Sequence, residues 1–365
     1  MPGGMDLKQE VLNASTCTLC GACLDWCPYL KNIEDHLVLT FDCNVSHGRC
    51  YSICPRTFTD WQAIREQYLA DTPQNLEIGP YFKVYKVKAK HSVAGQQDGG
   101  TVTYLLKKAL EEDELLTVLL TSSDDRVTPY PVLTNEVSSI EKAAGSKFLA
   151  APSFRKIVEA NQAKVEKLAV VGRPCQIQAL RKMDYNSPPD KPKLDVISIG
   201  LFCMWSLNWD FRDYVYEQVN NEEILSIAIP QEGLKVTTKT QVKNLPFEEV
   251  RKYIRSGCKY CFDMTSELAD ISVGSFEISP GWNTVIIRTK TGQELFDKAV
   301  GAGYLISEEY PAEELKRLKG ASLGKKVRAL NAIKEGASNG LKPFIDLENG
   351  EYQEIMTSLP EGVNQ

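Results

Sequence analysis

The chain holds three histidines in 365 residues. Imidazole is the side chain that titrates nearest neutral pH, so little is left for proton-transfer chemistry and no catalytic acid or base is nominated. Long apolar runs are also missing. No stretch approaches the ~18 uncharged apolar residues of a membrane helix, and the runs at 115–120 and 168–171 are strand-length. Positive charge is not in excess: 42 Lys and Arg stand against 48 Asp and Glu, a net charge of −6. That argues against nucleic acid as a partner, because phosphate binding needs a basic face. The opening Met1-Pro2-Gly3-Gly4-Met5-Asp6 has neither the basic nor the apolar region of an export signal. The expectation is a cytoplasmic protein without a membrane span. No low-complexity segment is present, and the only internal repeat is a pair of cysteine motifs.

Cysteine, in contrast, is plentiful. Eleven thiols, an odd number in a chain expected in a reducing compartment, fit metal binding better than disulfides. Seven lie between Cys17 and Cys54, and four are scattered at 175, 203, 258 and 261. This distribution predicts a small metal-dense N-terminal module, residues 8–60, and a larger body with its own site.

Residues 55–85 read as a polar connector broken by Pro55, Asp71-Thr72-Pro73 and Gly79-Pro80. Beyond it, strand patterns are expected at 84–93, 115–121, 168–171, 195–202, 270–274 and 284–289. Helical spacing is expected at 101–112, 153–166 and 209–220. Residues 224–237 alternate like an antiparallel pair around Gly233, and 311–337 read as a charged, solvated helix. Alternating helices and strands favour a partly parallel sheet. The body divides at 84–185 and 186–341, and 342–365 is expected to be a tail, loose from about 354.

Cys17-x2-Cys20-x2-Cys23-x3-Cys27-Pro28 is the complete spacing of a bacterial ferredoxin motif. Three close thiolates wrap one [4Fe–4S] cubane and the fourth serves a second cluster. Zinc sites take paired cysteines with a wide gap instead. The second motif is irregular. Cys50-x3-Cys54-Pro55 is a proper tail, but the positions expected to carry cysteine hold Asn44 and His47, with Cys43 one residue out of place. By the exchange rule, Cys17, Cys20, Cys23 and Cys54 hold one cluster. Cys27, Cys43 and Cys50 hold the other, with three readings open for its fourth position: ligation by His47, which would raise the potential, a cluster with three cysteine ligands, or an inserted loop that leaves His47 on the surface.

Four body segments carry the remaining signal: Gly95-Gln96-Gln97-Asp98-Gly99-Gly100-Thr101-Val102-Thr103, Gly172-Arg173-Pro174-Cys175, Gly200-Leu201-Phe202-Cys203, and Cys258-x2-Cys261-Phe262-Asp263 with Ala269-Asp270-Ile271-Ser272-Val273-Gly274. Cys175 and Cys203 each follow an apolar strand, where loops carry function. Buried core thiols are the bland alternative. The glycine-rich turn lets a backbone approach a phosphate ahead of a helix N-terminus, though it lacks the G-x-G-x-x-G fingerprint.

In this order the segments, with Gly145-Ser146-Lys147-Phe148 and Val285-Ile286-Ile287-Arg288-Thr289, resemble the family of beta subunits of coenzyme F420-dependent hydrogenases and dehydrogenases, from about 84 to 341. The resemblance implies an α/β flavin-binding body with a mixed sheet behind a two-cluster ferredoxin-like domain. It implies FAD and a third [4Fe–4S] cluster held by Cys175, Cys203, Cys258 and Cys261. It also implies flavin contacts from Gln97, Gly99, Gly100, Thr101 and Thr103, with Lys147 and Arg288 as cations for flavin or substrate phosphates. The implied activity is an oxidoreductase path from a hydride carrier, coenzyme F420, to FAD, then the clusters, then a partner redox subunit of hydrogenase, dehydrogenase or heterodisulfide-reductase type. Two alternatives stand beside it: a flavin reductase linked to ferredoxin or NAD(P)H, and a non-catalytic electron-relay subunit.

Overall fold

The computed structural model describes residues 2–188, 194–230, 233–276 and 278–358. The N-terminal module is built on short elements. A helical segment at residues 4–12 precedes a hairpin of β1 (Leu30–Ile33) and β2 (His36–Leu39), and a one-turn helix Arg49–Ser52 follows. Its core is small, with Leu7, Val11, Leu19, Leu24 and Leu30 packed among the thiols.

The body is organised by a mixed sheet. Its strands are β3 (Lys83–Ala89), β4 (Leu116–Ser122), β5 (Tyr130–Thr134), β6 (Lys167–Gly172) and β7 (Asp195–Leu201), continued after an excursion by β11 (Ile271–Ser275), β12 (Asn283–Ile287) and β13 (Leu305–Glu309). The excursion is a three-stranded antiparallel sheet of β8 (Ile224–Ala228), β9 (Leu234–Thr238) and β10 (Val242–Leu245), with its own apolar cluster around Phe211, Val215 and Val236. The main sheet runs β13-β3-β12-β11-β7-β6-β4-β5. β4, β6, β7 and β11 are parallel neighbours, and the flanking strands pair antiparallel. The apolar strands 168–171 and 285–287 are buried on both faces, the first as a central parallel strand requires and the second because helices cover both faces of the sheet. Helices Thr101–Glu112 and Lys290–Gly301 cover one face through Leu105 and Phe296. Helices Lys156–Gln162, Pro174–Tyr185 and Ala312–Ser338 cover the other through Ile157, Ile177 and Leu330.

Three expectations need correcting. The connector at 55–85 contains helix Trp61–Leu69, capped by Asp60, with Trp61, Ile64 and Leu69 buried in the main core. Its amphipathic spacing is hidden by Arg65, which is buried against Glu267 at 3.0 Å and Glu351 at 2.7 Å. The helix at 312–338 is not merely solvated, because Lys325, Lys326, Ala329, Leu330 and Ile333 face inward. The expected tail at 342–365 is ordered through residue 358: helix Gly350–Thr357 inserts Tyr352 and Ile355, and Phe344 and Ile345 pack ahead of it. Residues 359–365 lie outside the described residues.

Candidate functional site

Strand direction decides what meets at the sheet edge. β4, β6, β7 and β11 run the same way, and the end of β11 pairs with Asn283, the start of the antiparallel β12. Asn283 in turn pairs with Val87 near the end of β3. The segments after β3, β4, β6, β7 and β11 therefore emerge on one edge, the position where open α/β sheets place their ligands. Cys175, Cys203 and the glycine-rich turn all belong to it.

Cys175 opens helix Pro174–Tyr185, with the proline at the first helical position. Cys203 follows β7, Cys258 lies within a short 3-10 turn, Ser256–Tyr260, and Cys261 ends it. The four thiols line a single small, partly open cavity together with Arg173, Ser206 and Lys325. The Ser206 N–H donates to Cys258 Sγ at 3.4 Å. Burial pushes the Cys203 thiol up to about 12, against the pull of Lys325 and Arg173. Arg173, Lys325 and Arg56 resist the same burial because the thiols around them favour their charge. Lys325 is held by the carbonyls of Cys203 at 2.5 Å and Asp263 at 2.8 Å. Four thiols, the buried cations Arg56 and Lys325 and the partly buried Arg173 are a donor set suited to an anionic thiolate-bound cluster, where the metal would keep the sulfurs deprotonated. Among the described residues, no three Cys, His, Asp or Glu side chains converge tightly enough for a single ion, and the corners of a cubane are more widely spaced than the ligands of one tetrahedral ion.

The N-terminal thiols fall into two sets. Burial raises Cys23 well above its usual range, and Cys20, Cys54, Cys17 and, least of the four, Cys50 of the other set add to the effect. Cys54 is pushed to about 11 by burial, with Lys182 pulling the other way. Lys182 itself is lowered by burial to about 8 and donates to the Cys54 carbonyl at 2.8 Å. Left-handed residues at Leu19 and Gly21 curl the first motif, and the Leu19 N–H donates to Cys17 Sγ at 3.4 Å. Cys50, pushed up to about 11 chiefly by burial, feels Cys27 and Cys43. His47 is exposed, with Nδ1 3.1 Å from Ser46 Oγ, and Asn44 is exposed as well.

The first of these sets touches the body set. After desolvation, the largest influence on Cys20 is Cys175. Gln176 Nε2 donates to the Cys20 carbonyl at 3.5 Å, and Phe154 N–H donates to the same oxygen at 3.1 Å. A side chain on Gly21 would overlap Pro152, and one on Gly257 would overlap the Thr16 and Cys17 carbonyls. Module and body are thus packed backbone to backbone between the two sets of thiols.

The glycine-rich turn lies farther along the same edge. Gly100 is left-handed, at φ 65°, and caps helix Thr101–Glu112. A Cβ on Gly99 would sit 2.6 Å from Asn283 Oδ1 and 2.8 Å from the Val87 carbonyl oxygen. The Thr101 N–H donates to Asn283 Oδ1, and its buried hydroxyl has no hydrogen-bond partner. Gln97 Oε1 accepts from Ser146 N–H at 3.1 Å, joining the turn to the segment that carries Lys147. Thr103 is buried in the first turn of the helix. Beside them opens a cleft of about 460 Å³ lined by Ser92, Val93, Ala94, Arg126, Glu141 and Lys142, within the size range of cofactor pockets. Lys147 is lowered to about 8, by burial first and by Arg126 second. Its ammonium donates to the carbonyls of Ala143, Ala144 and Gly145. A cradle that only glycine fits, an unpartnered buried hydroxyl and two nearby cations suit a phosphate-bearing cofactor such as FAD.

Arg288 does not join this group. It follows β12, at the opposite edge of the sheet from Asn283, and is fully buried. Its guanidinium donates to Ser272 Oγ at 2.7 Å, the Pro80 carbonyl at 2.6 Å and the Thr265 carbonyl at 3.1 Å. It ties the connector to the sheet, and its reading as a phosphate-binding cation is corrected accordingly. Sequence reasoning missed Arg126, Lys182 and Lys325. The stripe Ser322, Lys326, Ala329, Leu330, Ile333 was available as a signal for the inward face that Lys325 borders; for Arg126, on a loop, we find none.

Comparison with known proteins adds the following. Two family models match, both described as coenzyme F420 hydrogenase/dehydrogenase beta subunit: the N-terminal one over residues 84–157 and the C-terminal one over residues 165–313. The F subunit of the F(420)H(2) dehydrogenase of Methanosarcina mazei is 30% identical over 318 residues, covering 84% of this chain and 88% of that protein. The coenzyme F420-dependent sulfite reductase of Methanocaldococcus jannaschii is 31% identical over 306 residues, and this chain spans only 46% of its length. Among solved structures, a chain of the F420-reducing [NiFe] hydrogenase complex from Methanosarcina barkeri superposes with a TM-score of 0.68 at 28% identity, covering 74% of this chain and 97% of that one.

Proposed function

The chain belongs to the family of coenzyme F420 hydrogenase/dehydrogenase beta subunits, and from that membership we propose that it is an iron–sulfur flavoprotein subunit linking coenzyme F420 to a partner redox protein. The observation that carries this reading is the cavity ringed by Cys175, Cys203, Cys258 and Cys261, on the sheet edge that also bears the glycine-rich turn. FAD, when bound, exchanges electrons in pairs with a hydride carrier and singly with iron–sulfur clusters.

The chain's own residues then have defined tasks. Gly99 and Gly100 let the backbone come close to the flavin pyrophosphate, and Gln97, Thr101 and Thr103 line its approach. Arg126 and Lys147 supply positive charge at the cleft. Cys175, Cys203, Cys258 and Cys261 hold the body cluster, with Arg173, Lys325 and Arg56 offsetting its negative charge. Cys17, Cys20, Cys23 and Cys54 hold a cluster next to it, fastened through Gln176 and Lys182. The 46% coverage of the sulfite reductase supports a chain that delivers electrons to a catalytic partner, of hydrogenase, dehydrogenase or heterodisulfide-reductase type, and no membrane span is needed for that role. Among the described residues no helix is long and apolar enough to cross a membrane.

Anaerobic purification followed by iron, sulfide and flavin analysis tests the proposal. A brown protein with bound flavin is expected. A colourless, zinc-containing protein would contradict it, and a brown protein without flavin would leave the alternative of an electron relay.

A further inference from the structure

The ferredoxin-type spacing that assigns four thiolates to each cluster leaves the second N-terminal set one short. Cys17, Cys20, Cys23 and Cys54 are drawn together, and so are Cys175, Cys203, Cys258 and Cys261. These eight leave Cys27, Cys43 and Cys50, of which Cys27 and Cys43 both lie near Cys50, and eleven cysteines are all the chain has. Cys43 takes over the role of position 44. The position left without a thiolate is 47.

His47 is not turned inward to replace it. Its side chain is exposed, with Nδ1 against Ser46 Oγ. The backbone around it is pinned: the Gly48 N–H donates to the Pro2 carbonyl at 3.2 Å, and a side chain on Gly3 would overlap the Val45 carbonyl. Asn44, Val45 and Ser46 are exposed as well. Meanwhile Gly4 brings the first helical turn within 3.0 Å of Cys43, and Gly48 lies about as close to Cys50 Sγ, measured from the Cβ each would carry. Two of the three thiols, Cys43 and Cys50, are closely backed by glycine, and the stretch from Asn44 to His47 beside them is exposed.

We propose that Cys27, Cys43 and Cys50 hold a site-differentiated cluster whose fourth iron is bound by solvent and is released on mild oxidation. This rests on the cluster reading given under Proposed function. In the step, [4Fe–4S]2+ gives up Fe2+ and one electron and leaves [3Fe–4S]+, and the electron goes to an added one-electron oxidant, ferricyanide, which becomes ferrocyanide. The solvent ligand leaves with the iron, and no protein bond is broken.

The test is a stoichiometric ferricyanide titration of the anaerobically purified full chain, read by EPR and by iron released into the filtrate. The expected result is one three-iron EPR signal and one released iron per chain, with unchanged signal in His47→Ala. Full retention of iron by the wild type would overturn the proposal, as would nitrogen hyperfine coupling that vanishes in His47→Ala. A protein that binds no iron at all would instead refute the cluster reading.

Discussion

At the scale of single residues, the cysteines and their cations make the sharpest claims. Cys258→Ala should lower iron content by about a third, the share of one cubane among three, while flavin is retained; iron and flavin analysis checks both. Lys147 gives a pH dependence. Its pKa is lowered to about 8, so it is protonated below that value and loses its charge as pH rises through it, well before a free lysine near 10.4 would. Flavin affinity should therefore weaken as pH rises through about 8, by up to about tenfold or ~1.4 kcal/mol. Lys147→Met should be weak throughout, with a flat profile in fluorescence titration. The meeting of Cys175, Cys203, Cys258 and Cys261 at one cavity was legible in the chain, because the positions of cysteines after strands and in a C-x2-C pair are read directly. Arg288 was misread because a lone arginine in a motif carries no sign of which edge of a sheet it will occupy; only the strand directions supply that.

At the scale of elements, close approach and burial decide. Gly99→Ala should force the turn away from Asn283 and Val87, costing about 1–3 kcal/mol as an overpacked site does. It should release flavin while leaving iron content unchanged. Ile355→Ala should cost about 2–5 kcal/mol, seen as a lowered Tm, because Ile355 is 1% exposed in the main core. A loose tail would give no change. The strands at 116–122, 167–172 and 195–201 were visible as apolar runs of strand length. Helices Trp61–Leu69 and Gly350–Thr357 were not, because their buried faces are narrow and interrupted by Arg65 and Glu351, whose charges are satisfied only by partners far away in sequence. The strand Val242–Leu245 was missed for a related reason: three of its four residues are exposed, so no alternation marks it.

At the scale of the whole molecule, the parallel order of β4, β6, β7 and β11 lines up the cleft, the body thiols and the N-terminal module along one edge. The contact of Cys20 with the Cys175 region makes the module part of the body rather than an appendage, since Arg255 pairs with Asp35 at 2.5 Å and Arg56 reaches Gly257 across the same seam. Metal binding to such a module is coupled to its folding. Stripping iron with a chelator and oxidant should therefore lower the Tm of the whole chain in one transition. An N-terminal module that melted separately would contradict that coupling. Charge balance and the absence of long apolar runs argue against nucleic acid and membrane helices, but neither could reveal the seam, which depends on contacts more than a hundred residues apart.

The most direct measurement is the anaerobic visible spectrum of the purified protein before and after addition of reduced coenzyme F420. The expected result is bleaching of a flavin band together with the broad cluster absorbance, with oxidised F420 appearing in step. A brown, flavin-containing protein whose spectrum does not respond to reduced F420 would contradict the proposed link between this coenzyme and the clusters.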